Sequence, residues 1–177
     1  GRNSPVRTAA GISAKTTRYG QKALTFAVTH DQPHHNISTE IHRSGGPFTL
    51  VPLPDHDGAP CSAVVWMNDG ATIAKLAALD QAGFDAAATL RSGGIYGPLT
   101  CVSKRSAWPI ISQIAGAMNG PRTALVAEAA HVMPPIGAQG LNMSLADLSC
   151  LLDLALAAGD TIGDAAMLKA YHSARHT

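Results

Sequence analysis

Charge, aromatic rings and cysteine are all scarce in this 177-residue chain, and each shortage narrows what it can do. Only 14% of the residues are charged, 13 basic against 12 acidic, and the lysines and arginines are scattered rather than clustered. A net charge of +1 provides no basic stripe for a polyanion, so nucleic acid is not an expected partner. Cys61, Cys101 and Cys150 stand far apart with no Cys-x-x-Cys spacing. An odd number of separated cysteines suits a reducing compartment, and the cytoplasm is the expected location. No apolar run approaches the roughly 20 residues that a spanning helix needs, and the first residues lack the apolar segment of a signal peptide. Any membrane contact is expected to be peripheral, at the inner face.

What is present is a hydrophobic share of 46%, enough for a folded domain or for one domain plus part of another. Period-2 alternation marks Ala23 to Thr29 as a strand, followed by a polar turn over Asp31 to Asn36. Strands are expected again at Ile37–Arg43, Phe48–Leu53 and Ser62–Met67, separated by the turn-forming Ser44-Gly-Gly-Pro47 and Pro54 to Pro60. Asn68 or Asp69 can cap a helix over Ala71–Leu79, and Asp80 to Leu90 reads as a second helix before the break at Arg91-Ser-Gly-Gly94. Leu99 to Trp108 returns as a strand. The expected fold class is α/β (α+β): a mainly antiparallel sheet with helices on one face, followed by a strand-turn-helix segment.

That last segment carries the chemistry. Thr123 to Ala127 reads as a short apolar strand, the stretch to Asn142 is rich in Gly and Pro, and a helix follows. In the helix Leu141, Leu145, Leu148, Leu152, Ala155 and Leu156 recur at three- and four-residue steps as one apolar face, with Gly159 placed to end it. A final helix over about Asp164 to Arg175 should bury Leu168 and Tyr171. Gly137 and Gly140 allow backbone to approach a ligand, and the first amides of a helix lack internal partners and favour negative charge.

Ala127-Glu-Ala-Ala-His131, Pro135, Gly137-Ala-Gln-Gly140, Leu141 and Asn142 resemble the second FAD-binding segment of the aromatic-ring flavoprotein monooxygenases, which runs Gly-Asp-Ala-Ala-His, a Pro, then Gly-x-Gly-Leu-Asn. At the other end Gly1-Arg-Asn-Ser-Pro-Val-Arg7 is similar to the family's Asp-Gly motif from its Gly onward, with Ser4 and Arg7 in place. Tyr19-Gly20-Gln21, Gly46-Pro47, Leu50, Pro52-Leu53-Pro54, Val65-Trp66 and Arg105-Ser-Ala-Trp-Pro109 resemble the ubiquinone-biosynthesis hydroxylase branch. The Pro134 to Asn142 run is also similar to the 4-hydroxybenzoate-type hydroxylases. The resemblance implies FAD and NAD(P)H as cofactors, O₂ as co-substrate and an aromatic or polyprenyl-phenol substrate. It implies a cofactor-binding set of Glu128, Pro135, Gly137, Gln139, Gly140, Leu141 and Asn142.

Two departures qualify it. The family opens with a Gly-x-Gly-x-x-Gly βαβ unit, which this sequence lacks. The chain is therefore expected to be a C-terminal piece of a longer enzyme, inactive alone, with residues 1–19 and 111–177 from the FAD-binding domain and residues 20–110 from the substrate-domain sheet. Apolar faces that would meet the remainder favour self-association, and a non-catalytic, self-associating domain derived from this fold is the alternative. The second departure is Ala127-Glu128 in place of Gly-Asp: Glu can still accept from a ribityl or ribose hydroxyl but is one methylene longer, and Ala127 adds a Cβ.

No catalytic side chain is assigned, since the oxygen chemistry belongs to the cofactor. His131 is expected to be a hydrogen-bonded structural histidine. Neighbouring His34 and His35 point to opposite faces of any strand, and with His42 and His56 they offer no recognised ligand spacing, so no metal is expected. Trp66 and Trp108 read first as core residues.

Overall fold

A computed structural model describes residues 1–135, 137 and 139–176. The chain divides into two compact units, residues 20–110 and residues 1–19 with 111–177.

The 20–110 unit is built on antiparallel pairing of β1 (Ala14–His30), β2 (Thr39–Arg43), β3 (Gly46–His56) and β4 (Ala59–Asp69), in the order β2-β3-β4-β1. Alternation places Leu24, Phe26 and Val28 of β1, Phe48 and Leu50 of β3, and Val64 and Trp66 of β4 on one buried face. Phe48 lies opposite Trp66 in the β3–β4 register, and their rings meet edge to face at 5.3 Å. Two helices cover that face with Ile73 of α2 (Gly70–Ala77) and Phe84 and Ala88 of α3 (Gln81–Ser92), all three fully buried. The helices start where their caps dictate. Asp69 accepts from the amides of Ala71 (3.0 Å) and Thr72 (2.9 Å), and Asp80 accepts from Gly83 at 2.8 Å. Gly93, at φ 70°, closes α3 in the left-handed conformation.

The expected mainly antiparallel sheet with helices on one face thus forms, with three adjustments. The first strand is longer than its apolar core, because the exposed, polar stretch beginning at Ala14 pairs as well. The strand expected over Leu99–Trp108 is two, β5 (Leu99–Cys101) and β6 (Ser106–Ala115). Between them the Ser103 hydroxyl accepts from the Ala27 amide at 2.7 Å, so a side chain takes a place in the ladder. Trp66 is a core residue, but Trp108 is 53% exposed and donates its indole N–H to the Thr25 hydroxyl at 3.1 Å.

The other unit begins with α1 (Pro5–Ala9), capped by the Ser4 hydroxyl, which accepts from the Arg7 amide at 3.1 Å. A hairpin of β7 (Asn119–Gly120) and β8 (Thr123–Ala124) follows, then a 3-10 turn over Ala127–Ala129, β9 (His131–Val132) paired with β6, and helices α4 (Gln139–Ala158) and α5 (Ala165–Arg175). Its core gathers Ala115, Met118, Leu125, Ala130 and Tyr171, with Cys150, Leu151 and Leu154 of α4 packed against them. Tyr171 is fully buried and donates its hydroxyl to the Leu125 carbonyl at 2.8 Å; burial pushes its phenol pKa upward. Leu168 and Tyr171 are buried as expected.

The strand expected over Thr123–Ala127 stops at Ala124, because Ala127 takes a left-handed φ of 53° that no strand continues. The expected apolar face of α4 is the wrong one for the core. Leu141, Leu145, Leu148, Leu152 and Leu156 are 51–74% exposed, and the packed side runs through Asp147, Cys150, Leu151 and Leu154. The reading that no run is long enough to span a membrane also needs correction. Gln139–Thr161 forms 23 helical residues of mean hydropathy 1.4, long and apolar enough by length and composition. Leucines interspersed with Ala, Ser and Gly raise the average without any continuous leucine-type run. The helix nonetheless carries a buried carboxylate, Asp147, paired with Arg175 of α5.

Candidate functional site

The two sequence motifs lie at opposite ends of the chain, and the 1–19/111–177 unit brings them together through one guanidinium. Arg7, only 8% exposed, donates from Nη1 to the Ala129 carbonyl at 2.9 Å and to Gln113 Oε1 at 3.4 Å, and from Nη2 to the Arg2 carbonyl at 2.8 Å. A buried arginine requires such a set of acceptors. Its consequence is that the turn carrying Glu128 is fastened to the N-terminal motif. Glu128 itself lies close to Gly1, where an added Cβ would stand 3.4 Å from its Oε2.

Glu128 sits in the 3-10 turn rather than directly after a strand, and it lines a cavity of 290 Å³ together with His131, Val132, Met133, Gly140, Leu141 and Ser144. A second cavity, of 380 Å³, shares His131, Val132 and Met133 and is completed by Lys15, Thr17, Ser112, Gln113, Ile114 and Met143. Of the seven residues expected to hold a cofactor, Glu128, Gly140 and Leu141 therefore share one cavity. Pro135 and Gly137 precede α4, and Gln139 and Asn142 stand in its first turn; none of the four is among the residues that line this cavity.

The start of α4 has the properties of a ligand-facing helix end. Gly137 adopts φ 65°, a conformation that favours glycine, and its carbonyl accepts from the Gln139 side-chain amide at 3.2 Å. At Gly140 an added Cβ would meet no atom within 4 Å among the described residues, so protein packing does not require glycine there. The bare backbone instead faces open space beside Glu128. Twenty residues of α4 place their aligned dipoles behind these first amides, with no acidic residue in the first turn to satisfy them. A planar, electron-rich heterocycle edge at the helix start and a polyol hydroxyl at Glu128 match this donor and acceptor set, so the residues present fit FAD.

His131 is largely buried and engages Asp147 Oδ2 through Nε2 at 2.5 Å, which makes it a structural histidine. The sequence reading missed Asp147, which is fully buried and also accepts from the Ala127 amide (3.3 Å, Oδ2) and from Arg175 Nε (2.9 Å, Oδ1). Its signal was available: one carboxylate in register with Leu151 and Leu154, four and seven residues on, at an interior position of an apolar helix. Of the remaining histidines, the rings of His172 and His176 lie 4.6 Å apart and those of His30 and His34 5.9 Å apart. His34 contacts the Leu53 carbonyl and His42 pairs with Glu40. Among the described residues no three His, Cys, Asp or Glu side chains are grouped to hold a metal.

Comparison with known proteins places the chain in a family. Over 178 residues the chain is 34% identical to the ubiquinone hydroxylase UbiL of Rhodospirillum rubrum, covering 99% of the chain and 41% of that protein. It is 27% identical to the 3-demethoxyubiquinol 3-hydroxylase of Escherichia coli, covering 99% and 44%. Among solved structures, the flavin-dependent halogenase CmlS superposes with a TM-score of 0.71 at 16% identity, over 99% of the chain and 34% of CmlS, which speaks for the fold alone. The chain thus spans about two fifths of the length of the curated relatives it matches. The model of the FAD binding domain family matches residues 1–177, and the chain belongs to that family.

Proposed function

We propose that this chain supplies the flavin-ring end of the FAD site in a longer, NAD(P)H-using monooxygenase that hydroxylates an aromatic ring, with a ubiquinone-pathway polyprenyl phenol as substrate class. The observation that carries the reading is the shared cavity of Glu128, Gly140 and Leu141 at the start of α4, with open space above Gly140. Glu128 would accept a hydrogen bond from a cofactor hydroxyl, and the amides of Gln139 to Asn142 would hold the electron-rich edge of the ring and stabilise negative charge there. Pro135 and Gly137 shape the approach of the chain to that helix. When bound, FAD supplies electron transfer from NAD(P)H and the oxygen-inserting chemistry. The protein's own work is to bind, orient and exclude water. The relatives' names support the substrate class, since two of them are ubiquinone-pathway hydroxylases.

The test is FAD fluorescence quenching and NAD(P)H oxidation with O₂ and a short-chain polyprenyl phenol, using the complete natural polypeptide that carries these residues. Quenching at micromolar FAD and phenol-dependent hydroxylation are expected; failure to bind FAD ends the reading. A second reading concerns the 177-residue chain alone, and the exposed leucine row on α4 favours it: self-association without turnover.

A further inference from the structure

We propose that Asp147 is the positioning residue of the cofactor turn: it holds Ala127 in left-handed backbone and thereby fixes the direction in which Glu128 enters the cavity. The inference rests on the FAD reading above.

Three observations converge on it. Ala127 has φ 53°, a conformation that its Cβ resists and that glycine adopts freely. Something must hold it there, and its amide donates to Asp147 Oδ2 at 3.3 Å. The carboxylate is itself immobile, being fully buried with both oxygens engaged: Oδ2 also by His131 at 2.5 Å, Oδ1 by Arg175 at 2.9 Å. Finally, two of its three donors flank Glu128 in sequence, one residue before it and three after. A simple ion pair joining α4 to α5 would need Arg175 alone. The reach to Ala127 and His131 makes the carboxylate a clamp on the turn. Arg175 extends the device, since its Nη2 donates to the Met143 carbonyl at 3.4 Å in the first turns of α4. The acceptor side chain and the helix start thus share one anchor.

The experiment compares Asp147→Asn, Ala127→Gly and the double variant in the complete polypeptide, by FAD titration and by the visible circular dichroism of bound flavin. Asp147→Asn should weaken FAD affinity about tenfold and alter the flavin signal, because one buried charge-assisted acceptor is lost. Adding Ala127→Gly should recover about threefold or more of that loss, because glycine enters the left-handed φ without the Cβ strain that the clamp otherwise offsets. Asp147→Asn with unchanged affinity, or a loss identical with and without Ala127→Gly, overturns the proposal. Should Asp147→Asn fail to fold, Arg175→Gln reads the same coupling with a smaller loss, and its absence there overturns the proposal equally. If the unsubstituted polypeptide does not bind FAD, the functional reading has failed, which is a different result from a missing coupling.

Discussion

The two units solve the problem of a stable interior in opposite ways. The 20–110 unit is centred on rings and branched chains, with Leu24, Val28, Phe48, Leu50, Ile73 and Phe84 all fully buried, and it hides its hydrophobic face under its own helices. Among the described residues of the 1–19/111–177 unit the largest fully buried side chains are a tyrosine and a carboxylate, Tyr171 and Asp147, set beside a smaller apolar core of Ala115, Met118, Leu125 and Ala130, while five leucines of α4 face outward. A packed apolar core tolerates little but needs nothing else. Buried polar groups such as Asp147 and Arg7 depend on their hydrogen bonds being made, and in return they place specific backbone and side-chain atoms at fixed positions. The first unit has the character of a scaffold and the second that of a site.

The largest effect should come from the scaffold. Phe84 meets Phe26 edge to face at 4.8 Å and carries the Arg105 guanidinium 4.2 Å above its ring. Phe84→Ala should cost about 3–5 kcal/mol of stability, measured as a lower urea midpoint. A loss below about 1 kcal/mol would show that this core is not close-packed. In the site unit, Arg7→Lys keeps the charge but cannot reproduce a fork reaching Ala129, Arg2 and Gln113. It should cost about 1.5–3 kcal/mol and weaken FAD binding, whereas Phe84→Ala should leave the affinity of the folded fraction unchanged. If the two substitutions affect FAD alike, the division between scaffold and site is wrong.

How far the sequence discloses each unit follows from the same difference. Strands and helices of the 20–110 unit are legible because burial there follows period and caps: Leu24, Phe26 and Val28 alternate, and Asp69 and Asp80 stand where helices begin. What hides is local and polar, such as the Ser103 hydroxyl that interrupts the strand between β5 and β6. In the other unit the Gly/Pro-rich turn and the helix after it are legible, and Glu128, Gly140 and Leu141 line one cavity. The buried face of α4 is not. Two apolar stripes compete on that helix, and the stronger one, Leu141 to Leu156, lies on the side away from Asp147. Nor can spacing show that Asp147 reaches Ala127, twenty residues earlier, since that contact exists only once the turn and helix have folded together.

A smaller effect tests a buried polar group of the scaffold. His30 is buried, stacked on Tyr96 at 4.9 Å, with Nδ1–H donating to the Gln32 carbonyl at 2.8 Å and Nε2 accepting from the Ser62 hydroxyl at 2.9 Å. Burial holds its pKa below the ordinary 6.5. The unfolded chain therefore binds a proton first as pH falls, so stability should be intact above pH 6.5 and decline from there towards the lower folded pKa. Denaturant titrations from pH 7.5 down to pH 5, with His30→Gln as the control, measure the slope. A slope that His30→Gln leaves unchanged would assign the acid sensitivity to other groups.

The smallest expected change in stability is also the one that most sharpens the contrast. Leu152 is 58% exposed on α4, so Leu152→Ser removes less than half of a leucine's burial and should cost only about 1 kcal/mol. Leu148→Ser, at 51% exposure, should behave in the same way. Both should nonetheless lower the average mass of the 177-residue chain in light scattering, because an uncovered row of leucines is the surface through which copies would associate. In the complete polypeptide the same substitutions should become costly if additional chain covers that row, approaching the penalty of a core site. A stability loss that grows with chain length would mark α4 as a helix whose apolar face belongs to a larger domain. A loss that stays equally small in both contexts would leave the row a true surface.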